Sequence, residues 1–158
     1  RQTRVGERGQ NFVLTKFRSM RVDAEKDGVA QWASKDDDRS TRVGRFIRKS
    51  SLDELPQLFN VLTGQLSLVG PRPHATQAKA AEALYEKVVD GYFARHKVKP
   101  GITGWAQVNG WRGETDTREK IEQRVRYDLE YIDRWSLGFD AYIIAKTPFA
   151  LLKNENAY

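Results

Sequence analysis

The residues best placed to do chemistry are Asp53 and Glu54, which lie in the run Arg48-Lys49-Ser50-Ser51-Leu52-Asp53-Glu54-Leu55-Pro56. A second charged point follows in Gly70-Pro71-Arg72-Pro73, where two prolines fix φ and stiffen the backbone around an arginine. Two adjacent carboxylates among basic residues suit chemistry on phosphate. An aspartate attacks a phosphoryl group only when arginine, a divalent metal or both offset the repulsion between the two anions. On a regular helix successive side chains diverge by about 100°, so Asp53 and Glu54 are expected to divide the work. One attacks, and the other holds a cation or positions its neighbour.

A plainer reading stands beside this one. Ser51-x-x-Glu54 fits a capping box, and acidic residues in a first helical turn are favoured by the helix dipole. Pro56 makes an ordinary capped turn less natural, and Arg48 and Arg72 supply cations that a cap does not need. Lys16 and Arg18, in Lys16-Phe17-Arg18-Ser19-Met20, are further phosphate candidates, or else solvated charges that guard an edge strand. Trp111 and Arg112 lie in a glycine-rich stretch where backbone can approach a ligand and an indole can stack on a base or sugar. Trp105 in the same stretch is either a second such wall or a core residue. Asp128 sits one position before the apolar stripe of its helix and either turns inward or pairs with neighbouring basic residues.

Composition narrows the chemistry. The chain has 158 residues, 27 Lys+Arg against 21 Asp+Glu, a net charge of +6 and 39% hydrophobic residues. That is enough for one core, and the default is a single domain over residues 1–158. The charge favours anionic partners: nucleotides, nucleic acid or acidic lipid headgroups. There is no cysteine, which removes disulfides, thiolate nucleophiles and zinc fingers. With only His74 and His96, a multi-histidine metal site is excluded, and both are read as structural. No run approaches the roughly 20 apolar residues of a spanning helix. The opening Arg1-Gln2-Thr3-Arg4-Val5-Gly6 reads as the middle of a folded unit, which suggests an N-terminal truncation.

The elements that must position these residues follow from pattern. Residues 2 to 5 and 11 to 17 predict a β-hairpin across Gly6-Glu7-Arg8-Gly9. Residues 23 to 41, with Asp36-Asp37-Asp38, read as a mobile loop, and 39 to 49 as a small basic amphipathic element suited to a headgroup or solvent. Leu55, Leu58, Phe59 and Leu62 form an i, i+3, i+4, i+7 stripe that predicts a buried helix of about three turns, stopped by Gly64. An Ala-rich pattern predicts a helix over 75 to 95, whereas glycines argue against a regular helix over 98 to 113. A charged helix over 115 to 135, capped by Thr115 and ended by Gly138, and an apolar helix over 139 to 153, kinked at Pro148, complete the chain. The fold class is α+β, mostly helical, with a short N-terminal hairpin and four to five helices.

Four motifs in order match a known pattern: Lys16-Phe-Arg-Ser-Met20; Arg48-x-x-Ser51-Leu-Asp53-Glu54-Leu-Pro-Gln-Leu-x-Asn60-Val-Leu-x-Gly64; Ser67-Leu-Val-Gly-Pro-Arg-Pro73; and Arg95-His-Lys-Val-Lys-Pro-Gly-Ile-Thr-Gly-Trp-Ala-Gln-Val-Asn-Gly110. Together they strongly resemble the bacterial sugar transferase family, the monotopic polyprenyl-phosphate phosphoglycosyl transferases, over nearly the whole chain. The segment from Trp111 to Thr117 and the terminal Ala157-Tyr158 look most like the glucose-phosphate branch that initiates colanic-acid-type exopolysaccharide.

The resemblance implies transfer of a hexose-1-phosphate from a UDP-sugar, UDP-glucose or UDP-galactose, to undecaprenyl phosphate, with release of UMP. It implies a covalent intermediate on Asp53, with Glu54 as the partner carboxylate, and Mg²⁺ held by Glu54 and Asp53. Arg48 and Arg72 would hold phosphate, and Lys16 and Asp128 would border the site. The implied setting is the cytoplasmic face of the bacterial inner membrane, as a peripheral domain on the lipid surface, with no nucleic-acid partner and with homo-oligomerisation left open. Family members begin with a hydrophobic re-entrant helix that this sequence does not contain. The rival reading is a noncatalytic basic module that binds membrane or RNA through residues 39 to 49 and the tryptophans. It accounts for the charge and leaves the Asp53-Glu54 pair without a purpose.

Overall fold

The computed structural model describes residues 1–21, 38–74, 79–80, 83–84, 91–113 and 117–153, and it is α+β with helix predominating. The hairpin expected at the N-terminus forms between β1 (Gln2–Val5) and β2 (Asn11–Leu14), antiparallel, with Gln2 opposite Leu14 and Val5 opposite Asn11. Alternation sends Phe12 and Leu14 inward, where they pack with Leu66, Val61 and Ile102.

Most of the expected loop over 23 to 41 lies outside the described residues. Its end returns to the hairpin: Arg21 donates to the Arg39 carbonyl at 2.9 Å and Thr41 to that of Ser19 at 3.1 Å. Helix α1 (Arg42–Lys49) starts there, capped by the Thr41 side chain, which accepts from Gly44 N at 2.8 Å. A Cβ at Gly44 would come within 1.8 Å of the Ser19 carbonyl, so glycine is what lets the helix lie against that strand.

After α1 the chain makes a 3₁₀ turn, Leu52–Glu54, and then helix α2 (Gln57–Leu62). The helix is where predicted, but its orientation is the reverse of the expected one. Leu55, Leu58, Phe59 and Leu62 are 51%, 45%, 69% and 82% exposed, whereas Gln57 and Asn60 are buried. The Asn60 side chain explains the inversion: it donates to Val13 O at 2.8 Å and Gln65 Oε1 at 2.7 Å, and accepts from Thr15 N at 3.1 Å. Backbone groups at the end of β2 need partners, and the polar face of α2 supplies them. The apolar stripe is thereby turned outward.

Strand β3 (Ser67–Val69) pairs in parallel with β6 (Gly101–Thr103), Ser67 opposite Gly101 and Val69 opposite Thr103. The crossover between them carries the turn at residues 70 to 74. Within the expected helix over 75 to 95, β4 (Lys79–Ala80) and β5 (Ala83–Leu84) instead form a short antiparallel pair, and Tyr92–Lys97 is a 3₁₀ helix; the rest lies outside the described residues. The 98-to-113 stretch is less irregular than predicted, with β6 followed by a single turn of helix, α3 (Trp105–Val108). Backbone contact between Gly70 and Gly101 is so close that a Cβ on Gly101 would sit 2.1 Å from Gly70 N.

Helix α4 (Arg118–Asp133) is capped by Thr117, the expected cap Thr115 lying outside the described residues, and it ends before Trp135, not at Gly138. Helix α5 (Leu137–Lys153) contains Pro148. Their core joins Tyr131 and Ile143 to Val69 and Val108, with Trp105 and Phe139 against it. Among the described residues, no helix is long and apolar enough to cross a membrane.

Candidate active site

Five segments meet around Asp53. The 3₁₀ turn that carries it is entered through Ser51, whose backbone is left-handed at φ +59°. This conformation is uncommon for serine and prevents an ordinary N-cap. The capping box anticipated from Ser51-x-x-Glu54 does not form: the Ser51 hydroxyl instead accepts from Arg112 Nη2 at 2.6 Å, which ties the loop after α3 to the turn. On the other side the Asp53 carbonyl accepts from Phe17 N at 2.9 Å, which brings Lys16 alongside.

Glu54 forms a two-pronged ion pair with Arg72: Nη1 donates to Oε2 at 3.2 Å, and Nη2 donates to Oε1. Such paired charge-assisted bonds set orientation as well as energy. Burial alone would raise the Glu54 pKa, but Arg72, aided by Arg112 and Lys16, overrides it and holds the carboxyl at about 2. Asp53 is 7% exposed and shifts the other way. Burial and then the Glu54 charge push it up, against the pull of Lys16, Arg48 and Arg72. The two carboxylates are therefore distinct: one is locked to an arginine, and the other is closed in, unlocked and surrounded by cations.

Lys16 is itself pushed down by burial and, more weakly, by Arg72 and Arg4, against the attraction of Asp53. Arg112 is likewise lowered by burial and by Arg72. Arg4, in β1, belongs to the same field, lowered by burial and by Arg72. Sequence reading overlooked Arg4; its signal was strand alternation, which places it opposite the inward-facing Phe12 and on the same face of the hairpin. Crowded, desolvated cations that depress one another constitute a site that favours an anion.

The remaining candidates lie at the edge of this cluster or away from it. Arg48 donates to Ser40 Oγ at 3.3 Å and contributes to the field on Asp53. Arg18 is exposed. Asp128 lies behind the site, buried in an ion pair with Arg95 at 2.7 Å, with both side chains at most 2% exposed. Arg95 in turn donates to the Arg72 carbonyl at 2.6 Å and bonds His74, which burial keeps neutral well below its usual pKa. The Trp111 carbonyl accepts from Arg124 Nε at 2.9 Å, and Trp105 packs edge-on against Phe139 at 5.0 Å as a core residue.

The chain is similar to known proteins over its whole length. The family model described as bacterial sugar transferase matches residues 1–154. The chain belongs to that family. The UDP-glucose:undecaprenyl-phosphate glucose-1-phosphate transferase of Escherichia coli (strain K12) is 56% identical over 158 residues, which is 100% of this chain and 33% of that protein. A protein of the same description from Caulobacter vibrioides is 49% identical over 158 residues, 100% of this chain and 58% of its own length. The UDP-N-acetylgalactosamine-undecaprenyl-phosphate N-acetylgalactosaminephosphotransferase of Aeromonas hydrophila is 46% identical, covering 99% of this chain and 36% of that protein. The chain thus spans about a third of the length of several of the curated relatives it matches. In each of these members of the sugar transferase family the matched stretch spans essentially the whole of this chain.

Proposed function

We propose that this domain transfers a sugar-1-phosphate from a UDP-sugar to undecaprenyl phosphate through a covalent intermediate on Asp53. The observation that carries this reading is the pairing of a buried, cation-surrounded Asp53 with a Glu54 whose oxygens are engaged by Arg72. A carboxylate oxygen of Asp53 attacks the phosphorus that bears the sugar. The bond from that phosphorus to the bridging oxygen breaks, and the electron pair leaves with UMP. An oxygen of undecaprenyl phosphate then attacks the same phosphorus, and the Asp53–phosphorus bond breaks with its electrons returning to the carboxylate. Atoms and charge balance with no proton donor in either step.

Arg72 and Arg112 bind and orient phosphate oxygens, and Lys16 and Arg48 stabilise the ionised nucleophile. Two substrates with unrelated bodies share only a phosphate, so one cationic site visited in turn serves both. Glucose and N-acetylgalactosamine both occur in the relatives' names, and the sugar here is proposed as a hexose of that kind.

The residues present fit Mg²⁺ as an ion that arrives with the diphosphate. Asp53 and Glu54 offer oxygen ligands of the right type, but the guanidiniums around them leave no excess negative charge to hold it beforehand, and among the described residues no cluster of three acidic or histidine side chains exists. When bound, it would neutralise phosphate charge. The exposed apolar residues of α2 and the basic α1 suit the surface of the inner membrane on its cytoplasmic side. A noncatalytic lipid- or RNA-binding role accounts for α1 alone and is not favoured.

The test is intact-mass spectrometry of the full-length protein after incubation with UDP-glucose and Mg²⁺, without acceptor. The expected result is a hexose-phosphate adduct on the peptide containing Asp53, absent in Asp53→Asn. An adduct that persists in that variant overturns the mechanism.

A further inference from the structure

A cavity of about 250 Å³ opens beside the Asp53 turn. Its walls are largely apolar: Leu55 just before α2 and Leu58 at its start, Ile102 and Val108 from β6 and α3, and Ala150 and Leu151 from α5, with Thr103, Gln107 and Thr147 between them. One side differs. Ser51, Glu54 and Arg112 line it together, Arg112 bonded to Ser51 and acting on Glu54, so one wall belongs to the cationic cluster. The opposite character appears at the mouth, because Leu55 and Leu58 also belong to the outward apolar stripe that runs onto α2 and are about half in solvent. The cavity therefore runs from a guanidinium, through hydrocarbon, to an uncovered apolar surface.

That polarity gradient selects among ligands. A nucleotide sugar is polar at both ends, and it is larger than this space, which falls below the roughly 300–1,000 Å³ of sites that enclose a whole small molecule. An anionic head on a branched hydrocarbon chain matches that gradient: phosphate toward Arg112, the first alkyl groups between Leu58 and Ala150, and the remaining chain passing over the outward stripe of α2. We propose that this cavity receives the phosphate-proximal isoprene units of the prenyl-phosphate acceptor, separately from the nucleotide. The assignment rests on the transfer reaction proposed above and adds where the acceptor sits. It also supplies a reason for the inverted α2, whose apolar stripe continues the cavity wall beyond its mouth.

The experiment separates the two half-reactions in the full-length protein. Ala150→Phe fills the cavity from α5, and Leu58→Asn makes its mouth polar at a position already half exposed. Adduct formation from UDP-glucose alone is the first readout; discharge of the preformed adduct by prenyl phosphates of increasing chain length is the second. For either variant the expected rise in acceptor KM is about tenfold or more, the equivalent of losing one buried branched alkyl group, with a much smaller change in adduct formation. In the wild type, acceptor efficiency should climb over the first few isoprene units, and this climb should flatten in Ala150→Phe. Adduct formation also reports whether each variant is folded. Equal losses in both steps would mean that the cavity is filled by another part of the chain or is merely structural, and would overturn the proposal, as would an unchanged acceptor KM. A wild type that forms no adduct would instead sink the reaction itself.

Discussion

Arg95 holds Arg72 from behind: its Nη2 donates to the Arg72 carbonyl at 2.6 Å while the same guanidinium pairs with buried Asp128 at 2.7 Å. Arg72 can then present its own guanidinium to Glu54 from a turn fixed on both faces, by prolines in the chain and by an ion pair beneath it.

Breaking the Arg95–Asp128 pair by Arg95→Ala should therefore cost about 3–5 kcal/mol of stability, because Asp128 is left buried without its partner. Replacing both partners with apolar residues, Arg95→Met with Asp128→Leu, should restore much of the melting temperature. Adduct formation should stay impaired in the double variant, since the Arg72 carbonyl has still lost its donor. Full recovery of activity with stability would reduce the pair to a packing element.

Arg72 and Arg42 differ in location and should differ in effect. Arg72→Ala is expected to slow adduct formation by about 10²–10³, the usual loss on removing one preorganised donor to developing charge. Arg42, exposed on α1, should change the rate little. Comparable losses in single-turnover kinetics would point to a diffuse effect of net charge.

Ionisation of Asp53 should shape the pH dependence. Burial and the Glu54 charge both raise its pKa, so adduct formation should increase as pH rises past the ordinary carboxylate range and Asp53 gives up its proton. Glu54→Gln removes one of those causes and should move this acidic limb to lower pH, whatever it does to the maximal rate. The stability effect of Glu54 has the opposite sign. Its pKa is held at about 2, down from 4.5, so the Arg72 pair contributes fully above pH 4.5 and is lost as pH falls toward 2. Thermal melts across that window should be flatter in Glu54→Gln, and an unaltered slope would count against the pair.

On α2 the usual rule for hydrophobic and polar substitution should run backwards. Asn60→Leu should destabilise the fold by about 2–4 kcal/mol, because Val13 O and Thr15 N lose their partner. Leu62→Glu, at a site 82% exposed, should leave the melting temperature nearly unchanged and weaken sedimentation with anionic lipid vesicles. Vesicle binding insensitive to Leu62→Glu and Phe59→Glu would remove α2 from the membrane-facing surface.

For the metal, calorimetry should detect negligible Mg²⁺ binding by the protein alone and clear binding when UDP-glucose is present. Tight binding without nucleotide would show that the cations around Glu54 screen it less than their placement implies.

Much of this was readable from residue type and spacing. Local rules located the hairpin, α1, the prolines around Arg72, and Asp53-Glu54 as an adjacent carboxylate pair among cations, because propensity and charge act within a few residues. The same local signals were ambiguous wherever a partner came from elsewhere in the chain. Periodicity identified the apolar face of α2 but not its direction, which was decided by unpaired backbone at Val13 and Thr15 reaching for Asn60. Ser51 looked like a cap and became an acceptor for Arg112, sixty-one residues away. Asp128 could turn inward or pair with basic neighbours on its helix, and it turns inward as the buried counterion of Arg95. Sequence by itself determined which chemical groups are present and which short elements carry them. Tertiary structure alone decided which carboxylate is engaged and which is left unlocked, since desolvation and ion pairing depend on distances that no local pattern encodes.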